Sequence, residues 1–246
     1  MLQMNYYIGI DIGTTSTKAV AFSVNGEVLA KEAIGYAIQH PQPDCSEQDP
    51  DEIFEAVINS ISKITTTLYN HTPVLVSFSA AMHSILAVDR TGKPLTPCII
   101  WADNRAGDIA EQLRKSSLGN DFYHATGVPV HAMSPLCKLL WMKENNEPVF
   151  RQAHKFIGIK EYIFFRLFGK YLVDTAIASA TGLLNDGENF VPERSRRKRY
   201  TRTSTLLVLS STLRLSSATS RHGKYSTNMY GLITTSVRLL TLKSVG

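Results

Sequence analysis

Near the N-terminus, apolar residues fall into short runs with a strand's spacing. Residues 5–12, 17–23 and 27–35 read as three strands joined in a meander by short polar turns. Residues 74–89 read as two short buried strands, broken by a small-residue turn at which Met82 and His83 sit. Residues 97–101 form a further strand that ends on an aromatic. The remaining pattern is helical. Asp49-Pro50-Asp51-Glu52 is a helix start, with proline at the first helical position and acids in the first turn. Ile53, Ala56, Val57, Ile61 and Ile64 then share one face of a helix running to about residue 66. Further helices are predicted over 104–116, over 135–145 with Leu136, Leu139, Leu140 and Met142 inward, and over 160–168 with Tyr162, Phe164, Phe165 and Leu167 in the core. The Met and aromatic positions of these helices are packing positions rather than a cofactor box. Strands interleaved with helices predict an α/β fold.

Composition divides the chain in two. Residues 1–193 hold 15 basic and 21 acidic groups, a charge of −6, whereas Arg194 to Gly246 hold 11 basic and no acidic groups, a charge of +11, giving +5 overall. The high pI therefore describes the last 53 residues, in which nineteen are Ser or Thr. That segment has no helical stripe, no clean strand alternation and no aromatic interleaving. Its Arg194-Ser195-Arg196-Arg197-Lys198-Arg199 run could serve a nucleic-acid or membrane arm. The favoured expectation is an out-of-frame or disordered tail, with no nucleic-acid partner. The expected organisation is a folded domain over 1–190 and a basic Ser/Thr-rich tail over 191–246.

Cys45, Cys98 and Cys137 are odd in number and lack paired spacing, which suits a reducing compartment and argues against a zinc site. The first residues carry no basic-plus-apolar leader, no apolar run approaches membrane-spanning length, and no solenoid repeat is present. A cytoplasmic protein without a membrane partner is expected. His124, His131 and His154 are isolated and read as surface or satisfied core histidines.

The candidate chemistry lies at strand ends. Tyr7-Ile8-Gly9-Ile10-Asp11-Ile12-Gly13-Thr14-Thr15-Ser16-Thr17-Lys18 takes a strand into a tight hydroxyl-rich turn and a second strand. Glycine there allows close backbone approach, and successive N–H and hydroxyl groups form an anion-binding concavity. Asp11 could hold a metal, or its bound water, against the same phosphates, although a plain β-hairpin with a polar turn has the same outline. The turn lacks the Gly-x-x-x-x-Gly-Lys-Ser/Thr spacing of a Walker loop. Ala81-Met82-His83-Ser84 and Ile100-Trp101-Ala102-Asp103-Asn104-Arg105 add an indole face and fixed polar groups suited to a polyol or sugar acid.

The first of these loops resembles the phosphate loop of the sugar-kinase, actin and chaperone ATPase superfamily. Together with Gly158-Ile159-Lys160-Glu161-Tyr162 and Ile177-Ala178-Ser179-Ala180-Thr181-Gly182, the three segments resemble the FGGY carbohydrate kinases over about residues 5–185. Ser84 and Asn104 tilt the pattern toward the family's gluconokinases. Xylulokinases, which usually show Met-His-Gly, are the alternative. The resemblance implies a ribonuclease-H-like, actin-like ATPase domain, only the first and incomplete one of two. It implies transfer of the ATP γ-phosphoryl group to a sugar-acid hydroxyl, D-gluconate giving 6-phosphogluconate, with Mg²⁺.

It assigns Asp11 to the metal, Gly13, Thr14, Thr15, Ser16 and Lys18 to phosphate, and Met82, His83, Trp101, Asp103 and Arg105 to the substrate. Lys18 could merely flank the loop, His83 could be a buried hydrogen-bonded histidine, and Arg105 a helix-start salt bridge. The family's Asp base has no counterpart in this sequence, so the chain alone is expected not to be competent, and a non-catalytic sugar-acid-binding remnant is the other reading. The intact family enzyme could form a homodimer.

Overall fold

The computed structural model describes residues 3–184 and the backbone of two short strands, Thr205–Leu209 and Val237–Thr241. Three strands, β1 (Asn5–Ile12), β2 (Ser16–Ser23) and β3 (Val28–Gly35), form the predicted meander. A two-residue strand β4 (Glu47–Gln48) leads into helix α1 (Pro50–Thr67). The Asp49 carboxylate caps that helix by accepting from the N–H groups of Asp51 and Glu52, as the acid-rich start predicts. Then come β5 (Thr72–Ala80), β6 (Leu86–Val88) and β7 (Cys98–Ile99). Four helices follow: α2 (Gly107–Lys115), α3 (Ser117–Thr126), α4 (Pro135–Asn145) and α5 (Glu147–Gln152). Strand β8 (Lys155–Ile157) and helices α6 (Ile159–Phe168) and α7 (Thr175–Ser179) complete the continuous part.

The main sheet has the order β10-β9-β5-β1-β2-β3, where β9 is Thr205–Leu209 and β10 is Val237–Thr241. Strands β1 and β5 run parallel, and the other neighbours antiparallel. Alternation along β1 sends Tyr6, Ile8, Ile10 and Ile12 into the core and leaves Tyr7 and Asp11 on the opposite, exposed face. That core is closed by Ile53, Phe54, Val57 and Ile64 of α1 and by Tyr162, Ile163 and Phe164 of α6. A smaller cluster of Ala106, Ala110, Val130, Ala132 and Cys137 seats α2 against α4.

Four expectations need correction. The helix predicted over 104–116 starts at Gly107, because Asp103, Asn104 and Arg105 are held in turns, and a separate helix follows it. In α4 the buried positions are Pro135, Leu136, Cys137, Lys138 and Met142, while Leu139 and Leu140 are only partly buried. Phe165 of α6 is partly exposed, its ring stacked on Tyr171 rather than in the core. The basic tail contributes two strands to the sheet. Thr205-Leu206-Leu207-Val208-Leu209 is a continuous β-favouring run, the pattern of a covered strand, which a search for alternation passes over. The expected boundary at 190/191 lies outside the described residues.

Candidate functional site

Parallel pairing brings the C-terminal ends of β1 and β5 together, Ile12 opposite Ala80. In open α/β sheets this is where ligands bind. The turn after β1 and the turn after β5 are tied by the Ala81 N–H donating to the Ile12 carbonyl at 2.8 Å. The third loop arrives through the small β4–β7 pair, which sets Gln48 opposite Cys98 and delivers Trp101 just beyond.

The turn after β1 is a closed hairpin. Gly13 N–H donates to the Ser16 carbonyl at 3.0 Å, and a Cβ on Gly13 would stand 3.0 Å from that same oxygen. A side chain would therefore open the turn, which explains the glycine. Two buried side chains hold the turn from outside. The Tyr36 hydroxyl donates to the Gly13 carbonyl at 2.6 Å, and the Gln48 amide donates to the Thr14 carbonyl at 2.8 Å. The indole N–H of Trp101 donates to the Thr14 hydroxyl at 3.0 Å, so the hydroxyl-rich turn is bonded directly to the aromatic expected at the substrate. Burial raises the Tyr36 pKa, and the nearby Asp11 charge adds to this, so Tyr36 keeps its proton and donates.

A small cleft opens between these loops. Gly13, Thr14, Gln48, Met82, Ser84 and Trp101 line it beside Ile12, Ile53, Ile100 and Ile159. Met82 and Trp101 are each nearly half exposed, at 43% and 47%, as apolar side chains at a cleft mouth would be. The predicted Gly13, Thr14, Met82 and Trp101 thus converge. Asp11, Thr15 and Lys18 are exposed on or beside the hairpin and Ser16 partly so, with Asp11 directly across the strand pair from Lys18. Lys18 flanks the turn instead of pointing into the cleft.

His83, Asp103 and Arg105 do not line the cleft. His83 has φ of 63°, an uncommon backbone for a non-glycine residue, and its Nδ1 is buried without a hydrogen-bond partner. Burial and then the Lys138 charge hold its imidazole below the ordinary pKa, so the neutral ring is favoured. The Asp103 side chain is fully buried. It accepts from the Ser46 N–H at 2.7 Å and from the Arg105 guanidinium at 2.8 to 3.0 Å. Arg105 also donates to Glu47 at 2.5 Å and lies over the Trp141 ring at 5.0 Å. Burial lowers the Arg105 pKa, but Asp103 and Glu47 outweigh that and raise it. Of the two readings of Arg105, this is the salt-bridge arrangement.

Sequence reasoning missed Tyr36, Gln48 and Lys138. Gln48 was within reach, because it directly precedes the helix-start signal at Asp49. Lys138 is described below.

Among the described residues no three acidic, histidine or cysteine side chains converge. A cation at the hairpin would be held by Asp11 together with waters and a ligand's own oxygens, which suits Mg²⁺ better than a metal needing a full protein cage. No helix among the described residues is long and apolar enough to cross a membrane. The three cysteines are buried free thiols.

Residues 6–188 match the FGGY family of carbohydrate kinases, N-terminal domain. A gluconokinase of Bacillus subtilis is 49% identical over 181 residues, covering 74% of this chain and 35% of that protein. A xylulose kinase of Staphylococcus xylosus is 31% identical over 178 residues, 72% of this chain and 37% of that one. Among solved structures, gluconate kinase from Lactobacillus acidophilus superposes with TM-score 0.72 at 40% identity, covering 74% of this chain and 37% of that chain. Ligand-bound xylulose kinase from the same organism gives TM-score 0.74 at 39% identity, over 78% and 39%. The chain thus spans little more than a third of the length of these relatives.

Proposed function

Because the chain belongs to the FGGY family of carbohydrate kinases, whose N-terminal, actin-like ATPase domain it carries, we propose that it supplies the sugar-acid-binding and phosphate-facing half of a gluconokinase. The observation that supports this reading is the Trp101–Thr14 hydrogen bond in one cleft, with Trp101 proposed as the aromatic floor for a polyol and the Thr14 hydroxyl proposed to meet phosphate. In this reading the C–H face of D-gluconate rests on Trp101 and Met82 at the cleft mouth. The Gly13–Ser16 turn receives phosphate through N–H and hydroxyl groups. Asp11 orients Mg²⁺ through water, and the ion offsets phosphate charge when ATP is bound. Two gluconokinases at 49% and 50% identity, against 31% for the xylulose kinase, favour gluconate as the acceptor.

A second reading rests on the cleft itself. Its lining holds no carboxylate or other general base among the described residues, so in this reading the cleft acts as a sugar-acid-binding unit without phosphoryl transfer of its own. Isothermal calorimetry on the 246-residue chain separates the substrates. Saturable heat with D-gluconate, tighter than with D-xylulose or glycerol, is expected. Tighter binding of xylulose, or no heat with any of the three, contradicts the proposal.

A further inference from the structure

We propose that Lys138 is a positioning residue of the substrate site, its ammonium pinning from inside the two strand-end loops that carry Met82 and Trp101. The inference deepens the proposed function and rests on it for the ligand. Lys138 lies on α4 with no exposed surface. Its Nζ donates to the Ile100 carbonyl at 2.6 Å and to the His83 carbonyl at 3.0 Å. Ile100 directly precedes Trp101, and His83 directly follows Met82. One amine therefore fixes the peptide units beside both cleft residues, across 38 and 55 positions of sequence.

The arrangement is chemically specific. The Ile100 carbonyl also accepts from the Asp103 N–H at 3.1 Å, and the buried ammonium adds charge-assisted hydrogen bonds to it and to the His83 carbonyl. The left-handed backbone of His83 turns its carbonyl inward, and Lys138 meets that oxygen, so the amine offsets the conformational cost of the turn. Burial pulls the Lys138 pKa down to about 8, while Asp103 nearby opposes the fall, so the protonated donor still predominates near neutrality. A lysine this buried, with no carboxylate bonded to it, is rare unless the amine has a specific task.

The test uses the full chain with ε-¹⁵N-lysine labelling and, for fluorescence, a Trp141→Phe background in which Trp101 is the sole indole. Wild type is expected to show one ammonium resonance protected from solvent exchange, absent in Lys138→Met. The Lys138→Met chain, folded by circular dichroism, is expected to show red-shifted, more acrylamide-quenchable Trp101 emission and at least tenfold weaker D-gluconate binding. No protected ammonium in wild type overturns the proposal, as does a folded Lys138→Met with unchanged emission and affinity. If wild type itself binds no gluconate, the proposed function fails, and the ammonium and emission readouts still decide the role of Lys138. Should Lys138→Met not fold, Lys138→Ala refolded with propylammonium replaces it. Recovery of Trp101 emission with the amine but not with propanol supports the proposal, and equal recovery with both, or none with either, overturns it.

Discussion

Arg105→Ala should cost stability first and ligand binding second. Among the described residues the guanidinium is the only side chain bonded to Asp103, whose carboxylate has no exposed surface. After substitution Asp103 keeps two backbone donors, the Ser46 N–H at 2.7 Å and the Arg105 N–H at 3.1 Å, but no directly bonded countercharge, only the Lys138 ammonium nearby. Removing one partner of a buried pair leaves an uncompensated charge and costs about 3–5 kcal/mol. The lost contact over Trp141 adds about 0.5–1 kcal/mol. A domain of this size has about 5–15 kcal/mol in total, so the loss is a large share. With a urea slope near 2 kcal/mol/M, the unfolding midpoint should fall by roughly 1.8–3 M. The double variant Asp103→Asn/Arg105→Met, which removes both charges of the buried pair, should recover at least half of that fall. Urea titrations followed by far-UV circular dichroism provide the measurement. A fall below about 1 kcal/mol, together with a tenfold loss of gluconate affinity, would show that Arg105 faces the ligand and would refute the reasoning.

Glu161 is buried at the start of α6, where it accepts from the Gly158 N–H, and burial raises its pKa from 4.5 to about 7. An acid held more tightly protonated when folded stabilises fully below pH 4.5, and that share is lost as pH rises through 7. It amounts to about 3 kcal/mol, and urea midpoints at pH 5 and pH 8 should show the drop, which Glu161→Gln should flatten. Cys45, Cys98 and Cys137 are buried, and desolvation pushes the Cys98 thiol up to about 12. Ellman's reagent should therefore label them only as fast as the chain unfolds, and rapid native labelling would contradict this burial. The chain alone should give no gluconate-dependent ATP turnover, because no base lines the described cleft and positioned proton transfer is worth about 10²–10⁴-fold. Turnover abolished by Asp11→Ala would contradict that expectation.

The elements most legible in the sequence were those with a local signal. The meander strands were placed within a residue because alternation marks a half-covered sheet. Helix α1 was placed by its cap, proline and first-turn acids. Helices α3, α5 and α7 were not foreseen. Each is ten residues or shorter, too short for an apolar stripe to announce it, and α3 and α5 are mostly exposed as well. Within the site, the residues named from strand ends converge where they lie on the hairpin or at the cleft mouth. Asp103 and Arg105 could not be separated from a ligand set by sequence alone, because their partner Glu47 stands 58 positions from Arg105 in the chain. Lys138 was invisible for a different reason. A lysine on a helix reads as solvated, and only the tertiary meeting of two strand ends at its amine reveals otherwise.

The central claim is that a sugar acid binds where Trp101 meets Thr14, and the Trp101 indole N–H reports on that contact directly. A ¹⁵N–¹H spectrum of the full chain titrated with D-gluconate should shift that indole resonance saturably, along with the amides of Gly13, Thr14 and Ser84 and the Met82 methyl. Trp101→Ala should abolish the remaining shifts. Saturable shifts confined to residues away from the cleft, with the Trp101 indole unmoved, would contradict the account.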